Sequence, residues 1–126
     1  MIDALFKSQN YQVARQMMDA TVLRQQALAA NIANAETPGY KRVDLAPTFS
    51  AQLQAAIERG PGELQKLQAQ LAEDSTAKSV RPDGNNVEIE RELLAMNRNA
   101  VEFDYLSEVV SDNLKRLKLA ISGRVS

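Results

Sequence analysis

A heptad repeat in the last third of the chain sets the strongest limit on its fold. Ile89, Leu93, Met96, Ala100, Phe103, Ser107, Val110, Leu114, Leu117 and Ile121 follow one another in alternating steps of four and three. That spacing is the a/d pattern of a helix that lays one seam against a partner, here with a single polar break at Ser107. Pro82-Asp83-Gly84 reads as a turn before the helix. Asn85 is placed to cap it, with Glu88 at the third helical position, a capping-box arrangement. Gly123 is placed to end it. At 1.5 Å per residue, a helix from Glu88 to Ser122 is about 50 Å long, longer than a compact domain of this size is wide. Glu88, Glu90 and Glu92 at its start and Lys115, Arg116 and Lys118 near its end complement the helix dipole.

A second long helix is expected from Asp3 to about Ala35, a stretch without Gly or Pro. Phe6, Val13, Ala20 and Ala27 stand seven apart on its apolar face, while Asn10, Arg24 and Asn31 interrupt the seam. Between the helices the periodic signal is weak. Phe49 to Ile57 suggests a short amphipathic helix, broken by Gly60-Pro61-Gly62. Glu63 to Glu73 suggests another, and Asp74 to Arg81 reads as loop. The expected architecture is therefore all-α: two long helices in a coiled-coil hairpin around a loop-rich, partly mobile middle. The expected segments are 1–46 (N-terminal helix and the corner after it), 47–86 (a variable linker with short helices) and 87–126 (the heptad helix).

Composition removes several kinds of function. The 126 residues carry 15 basic and 16 acidic side chains, a net charge of −1, too balanced for strong non-specific binding to nucleic acid or anionic membrane. With no Cys and no His, disulfides, thiolate chemistry, the usual general base and the commonest metal ligand are all absent. Glu88, Glu90 and Glu92 alternate and so point different ways on a helix, and no glycine-rich phosphate loop occurs. Neither an enzyme nor a cofactor is expected. No run of 18 apolar residues suggests a membrane span, and Asp3 stands where a cleaved secretory signal would be basic.

The most distinctive stretch is Asn31-Ile32-Ala33-Asn34-Ala35-Glu36-Thr37-Pro38-Gly39-Tyr40-Lys41. Pro38-Gly39 fits the centre of a type II turn, and the proline pushes Thr37 towards extended geometry. Asn31 and Asn34 can bond backbone groups of a neighbouring segment or chain, which fixes register at some cost in stability. Tyr40 offers a ring and a hydroxyl just past the turn.

This stretch resembles the N-terminal signature of bacterial flagellar axial proteins, the rod, hook and hook-associated proteins. The longer members carry large β-rich insertions that have no room here, which leaves the short proximal-rod types. Asp83-Gly84-Asn85-Asn86-Val87-Glu88-Ile89-Glu90-Arg91-Glu92 and the ending Leu114 to Gly123 look like one of these. The Tyr-Gln-Ala-Asn run that ends the other, FlgC, is not seen.

The resemblance implies a structural subunit of the proximal rod in the periplasm, packed helically, with terminal helices lining an inner coiled-coil tube. It implies partners among further copies of the chain, FlgC- and FlgF-type rod proteins, the FliE adaptor and the MS ring. Export would run through the flagellar type III apparatus without a cleaved signal peptide. Phe6 is followed four residues on by Asn10, where early export substrates of this kind carry a hydrophobic residue.

For the subunit interface, Ile89, Leu93, Met96, Phe103, Val110, Leu114, Leu117 and Ile121 are expected to form the C-terminal seam. Phe6, Val13, Met17 and Ala20 are expected to face it. Asn31, Asn34, Thr37, Pro38, Gly39 and Tyr40 are expected to form a corner that meets a neighbour. The competing reading is a soluble helical-bundle adaptor or secretion chaperone, which shares the heptads but gives the asparagine-rich corner no task.

Overall fold

A computed structural model describes residues 2–78 and 80–123, with side chains from residue 9 onward. Two long helices dominate, α1 (Ile2–Ala33) and α4 (Ile89–Ser122). They run antiparallel. Asn31 near the end of α1 meets Glu92 near the start of α4, Thr21 meets Asn99, and Met18 meets Ser107. Between them lie β1 (Val43–Leu45), α2 (Phe49–Arg59), α3 (Pro61–Lys66) and β2 (Leu71–Glu73).

The small sheet departs from the all-α expectation. β1 and β2 pair antiparallel, with Val43 opposite Glu73, Asp44 opposite Ala72 and Leu45 opposite Leu71. Two further backbone bonds, Ala46 N–H to Gln70 O at 2.8 Å and Asp74 N–H to Arg42 O at 2.9 Å, extend the ladder at both ends. Three-residue strands carry too few alternating side chains to leave a periodic trace.

The middle holds two short helices, with bounds that differ from the expected ones. Gly60 (φ +111°) separates α2 from α3, and Pro61 occupies the first turn of α3, where its missing N–H costs nothing. The helix expected over Glu63–Glu73 stops at Lys66 because Leu67 turns extended and leads towards β2. Phe49, Ala56 and Leu64 are buried. Two glutamines of α1 hold this segment, Gln9 donating to Ile57 O at 3.1 Å and Gln16 to Leu64 O at 2.6 Å.

The core is thin. Of ten buried apolar residues among those described, five are alanines. Ala14, Ala20 and Ala27 let neighbouring elements approach α1 closely, but they bury little area. α4 ends as expected at Gly123, whose φ of +69° is the left-handed conformation that glycine accepts freely.

Candidate assembly interface

The corner expected after α1 is built, and its polar groups are spent inside the chain. Thr37-Pro38-Gly39-Tyr40 closes a turn, Tyr40 N–H reaching Thr37 O at 3.2 Å with Gly39 at φ +75°. Asn31 is fully buried and uses its whole hydrogen-bonding capacity. Its amide donates to Val43 O at 2.7 Å and to Glu92 Oε2 at 3.1 Å. Its oxygen accepts from Val43 N–H at 3.0 Å and Tyr40 Oη–H at 3.2 Å. Asn31 therefore grips Val43 as a neighbouring strand would. Asn34 works more locally, donating to Ala30 O at 2.8 Å and accepting from Thr37 Oγ1 at 3.1 Å. Thr37, Pro38 and Gly39 stay exposed at the tip.

The loop before α4 closes over this corner. Asn85 does not cap α4. Glu88 occupies that position and makes no side-chain capping bond. The buried Asn85 amide instead donates to Asn34 O at 2.9 Å and Thr37 O at 2.8 Å, carbonyls past the end of α1 that also accept the N–H groups of Thr37 and Tyr40. Gly39 N–H donates to Asp83 O at 2.9 Å, and Asn86 N–H to Tyr40 O at 3.3 Å. The two loops touch backbone to backbone at Gly39 and Gly84. A Cβ on Gly84 would stand 3.3 Å from Gly39 Cα, and Gly84 has φ +88°.

Beside the corner lies an ion cluster that sequence reasoning missed. Arg42 pairs with Glu92, with Asp44 at 2.9 Å and with Asp74 at 2.8 Å. Arg24 pairs with Asp44 at 3.0 Å. Burial works against the charge on Arg42, but the hydrogen bonds it donates to Glu92 and Asp44, with the charges of those carboxylates, outweigh it, and its pKa lies above the usual arginine value. The Thr76 hydroxyl, opposed by burial and helped by Thr76 N–H and Arg42, holds the Asp74 carboxyl below the usual range. Burial, with the Glu92 charge, pushes the Tyr40 hydroxyl up. The cluster ties α1, β1, β2 and α4 together. No periodicity rule reveals it, because its members are scattered over α1, β1, α4 and the residues that flank the two strands.

The same cluster settles which way α4 faces. The line turned to α1 is Glu92, Asn99, Leu106 and Asn113, seven apart. Glu92 is 1% exposed and Asn99 2%. Arg42 and Asn31 compensate Glu92. Asn99 donates to Thr21 O at 2.8 Å and Gln25 Oε1 at 3.0 Å, while its own oxygen has no partner among the described residues. The apolar heptad stripe is therefore turned aside, not packed squarely on α1. Met96, Phe103, Val110 and Leu117 are half-buried, whereas Ile89, Leu93, Leu114 and Ile121 are exposed. On α1, Ala20 is buried and Val13 and Met17 are half-buried. Met17 and Ala20 line a crevice of about 150 Å3 with Leu45, Phe49 and Leu53. The Phe6 side chain lies outside the described residues. Among the described residues, eight of the eleven exposed large apolar side chains belong to α4. A groove of about 350 Å3 runs between Val22 of α1 and Ala100 and Phe103 of α4.

A long helix pair with an exposed apolar stripe and a rigid corner is a building block, and comparison with known proteins says of what. The sequence profile of the flagella basal body rod protein family matches residues 12–41, most of α1 and the corner up to Lys41. The flagellar basal body rod protein FlgB of Aeromonas hydrophila is 30% identical, the alignment covering 79% of this chain and 83% of that protein. FlgB of Escherichia coli strain K12 is 28% identical over 91% of this chain and 93% of its own length. FlgB of Salmonella typhimurium is 27% identical over 98% and 99%. By class, the chain is a structural flagellar rod protein and not an enzyme. Within that class it belongs to the FlgB family, a family of the flagellar basal body.

Proposed function

We propose that the chain is a subunit of the proximal rod, transmitting torque as part of a helical assembly in the periplasm. The observation that carries this reading is the exposed apolar face of α4. A self-sufficient monomer seldom leaves such a stripe uncovered along a whole helix. Covering it with neighbouring subunits would give the terminal helices a shared coiled-coil tube. Contacts between unlike surfaces propagate a filament without closing it. The exposed tip Thr37-Pro38-Gly39 would meet a neighbour, and residues 47–86 would decorate the tube.

The partners we infer are further copies, FlgC- and FlgF-type rod proteins, the FliE adaptor and the MS ring. Export would use the flagellar type III apparatus. Among the described residues no helix is long and apolar enough to cross a membrane.

Deleting the gene in its own bacterium tests the reading. The expected result is cells without rods or filaments, restored by a plasmid copy and with the chain recovered in purified basal bodies. Deletion cells that swim normally would overturn it.

A further inference from the structure

Polar bonds hold α4 in its rotation, while its apolar side chains favour another. Of its four buried residues, Glu92, Asn99, Leu106 and Asn113, only Leu106 is apolar. Asn99 is buried with its oxygen unpaired among the described residues, which is costly. The heptad seam lies beside this line. At the coiled-coil repeat, its midline falls between the Met96–Phe103–Val110 row and the Leu93–Ala100–Leu114 row, about 75° away. On the same side, a groove of about 350 Å3 separates Ala100 and Phe103 from Val22 of α1. A roll of α4 about its own axis by that angle would carry the seam onto α1 and close the groove. More apolar area would leave water than in the rotation observed.

The bonds that oppose such a roll are few. Among the described residues, α4 side chains bond to other elements at Glu92, Asn99 and Ser107. Glu92 accepts from Asn31 and Arg42, and Asn99 donates to Thr21 O and Gln25 Oε1. Ser107 reaches only the Met18 sulfur, a weak acceptor, at 3.6 Å. At the start of the helix Glu88 makes no side-chain capping bond that would pin the first turn. Glu92 and Asn99 therefore carry nearly all the polar hold on the rotation of α4.

We propose that Glu92 and Asn99 are positioning residues for assembly. They lock α4 in the rotation that withholds its heptad seam from α1. Without them the helix rolls inward, and the subunit buries its own adhesive face. The lock is a property of the single chain; its use in assembly rests on the rod reading.

The chain has no cysteine, so single introduced thiols can report the rotation. Asn113 is buried, and Leu114 beside it is 39% exposed. In an otherwise wild-type chain, Leu114→Cys should react with a maleimide about tenfold faster than Asn113→Cys. Adding Glu92→Ala and Asn99→Ala together removes the lock. It leaves Arg42 paired with Asp44 and Asp74, and the Asn31 amide bonded to Val43 O. In that background the order of the two thiols should reverse, the one at 114 slowing and the one at 113 quickening. Unfolding or fraying would quicken both, and a helix that keeps its rotation would change neither; each of these results overturns the lock. In deletion cells, the unlocked chain should lower the swimming fraction at least about tenfold, because few subunits then offer the seam. Reversed labelling with normal swimming would overturn the lock's part in assembly, whereas the rod reading stands or falls with the deletion strain.

Discussion

Asn31 shows how a single side chain can hold a corner. It serves the backbone of Val43, the carboxylate of Glu92 and the Tyr40 hydroxyl at once. Asn31→Ala takes these partners from the Val43 backbone and the Tyr40 hydroxyl and leaves Glu92 with Arg42 alone, at a cost of about 2–4 kcal/mol. Urea unfolding followed by circular dichroism should show the midpoint fall with its slope unchanged. Gly39 and Gly84 separate two costs that are usually mixed. Both sit at positive φ, but only at Gly84 would a Cβ press on backbone, that of Gly39. Gly39→Val should cost about 1–2 kcal/mol from strain alone, and Gly84→Val distinctly more, by the same urea measurement. At this scale the sequence was partly legible. Pro38-Gly39 announced its turn because both residues have few alternatives. Asn85 misled, because an asparagine before a helix looks like a cap whether or not its amide is claimed by carbonyls about fifty residues away.

Among the elements, α4 is the one whose sequence and orientation disagree most usefully. Its ends and length were readable from Pro82-Asp83-Gly84, the heptads and Gly123. Its rotation was not. A stripe of Leu, Ile and Phe is the natural inner face by hydrophobicity. Burial of Glu92 and Asn99 becomes tolerable only through Arg42, Asn31 and Thr21, none of them on α4. The inversion can be measured. Leu106, 4% exposed, should cost about 2–4 kcal/mol when replaced by Ala. Ile121, 85% exposed, should cost less than about 0.5 kcal/mol in the isolated chain, though it sits on the heptad. The carboxylate just past β2 adds a pH response. Asp74 titrates below its unfolded value. Its contribution is thus fully present above about pH 4, the unfolded value, and is lost as pH falls through the lower folded one. Thermal unfolding scans below pH 4 should show a shallower decline for Asp74→Asn than for wild type.

For the molecule as a whole, the balance of surfaces carries the functional argument. Inside, α1 and α4 meet over alanines and bonded polar groups. Outside, α4 presents eight exposed large apolar side chains among the described residues. The most chemically specific contacts lie at the corner, where Asn31, Arg42, Asn85 and Glu92 lock four segments together. A subunit of this kind carries a rigid joint at one end and a long adhesive helix leading away from it. The measurement that tests this most directly is Leu114→Asp, on the exposed stripe well away from the corner. We expect the purified variant to keep wild-type helicity and its urea midpoint to within about 0.5 kcal/mol, while deletion cells expressing it build no rods. Normal rods in those cells, or a variant that unfolds because Leu114 was core after all, would contradict the claim that this face is reserved for neighbours.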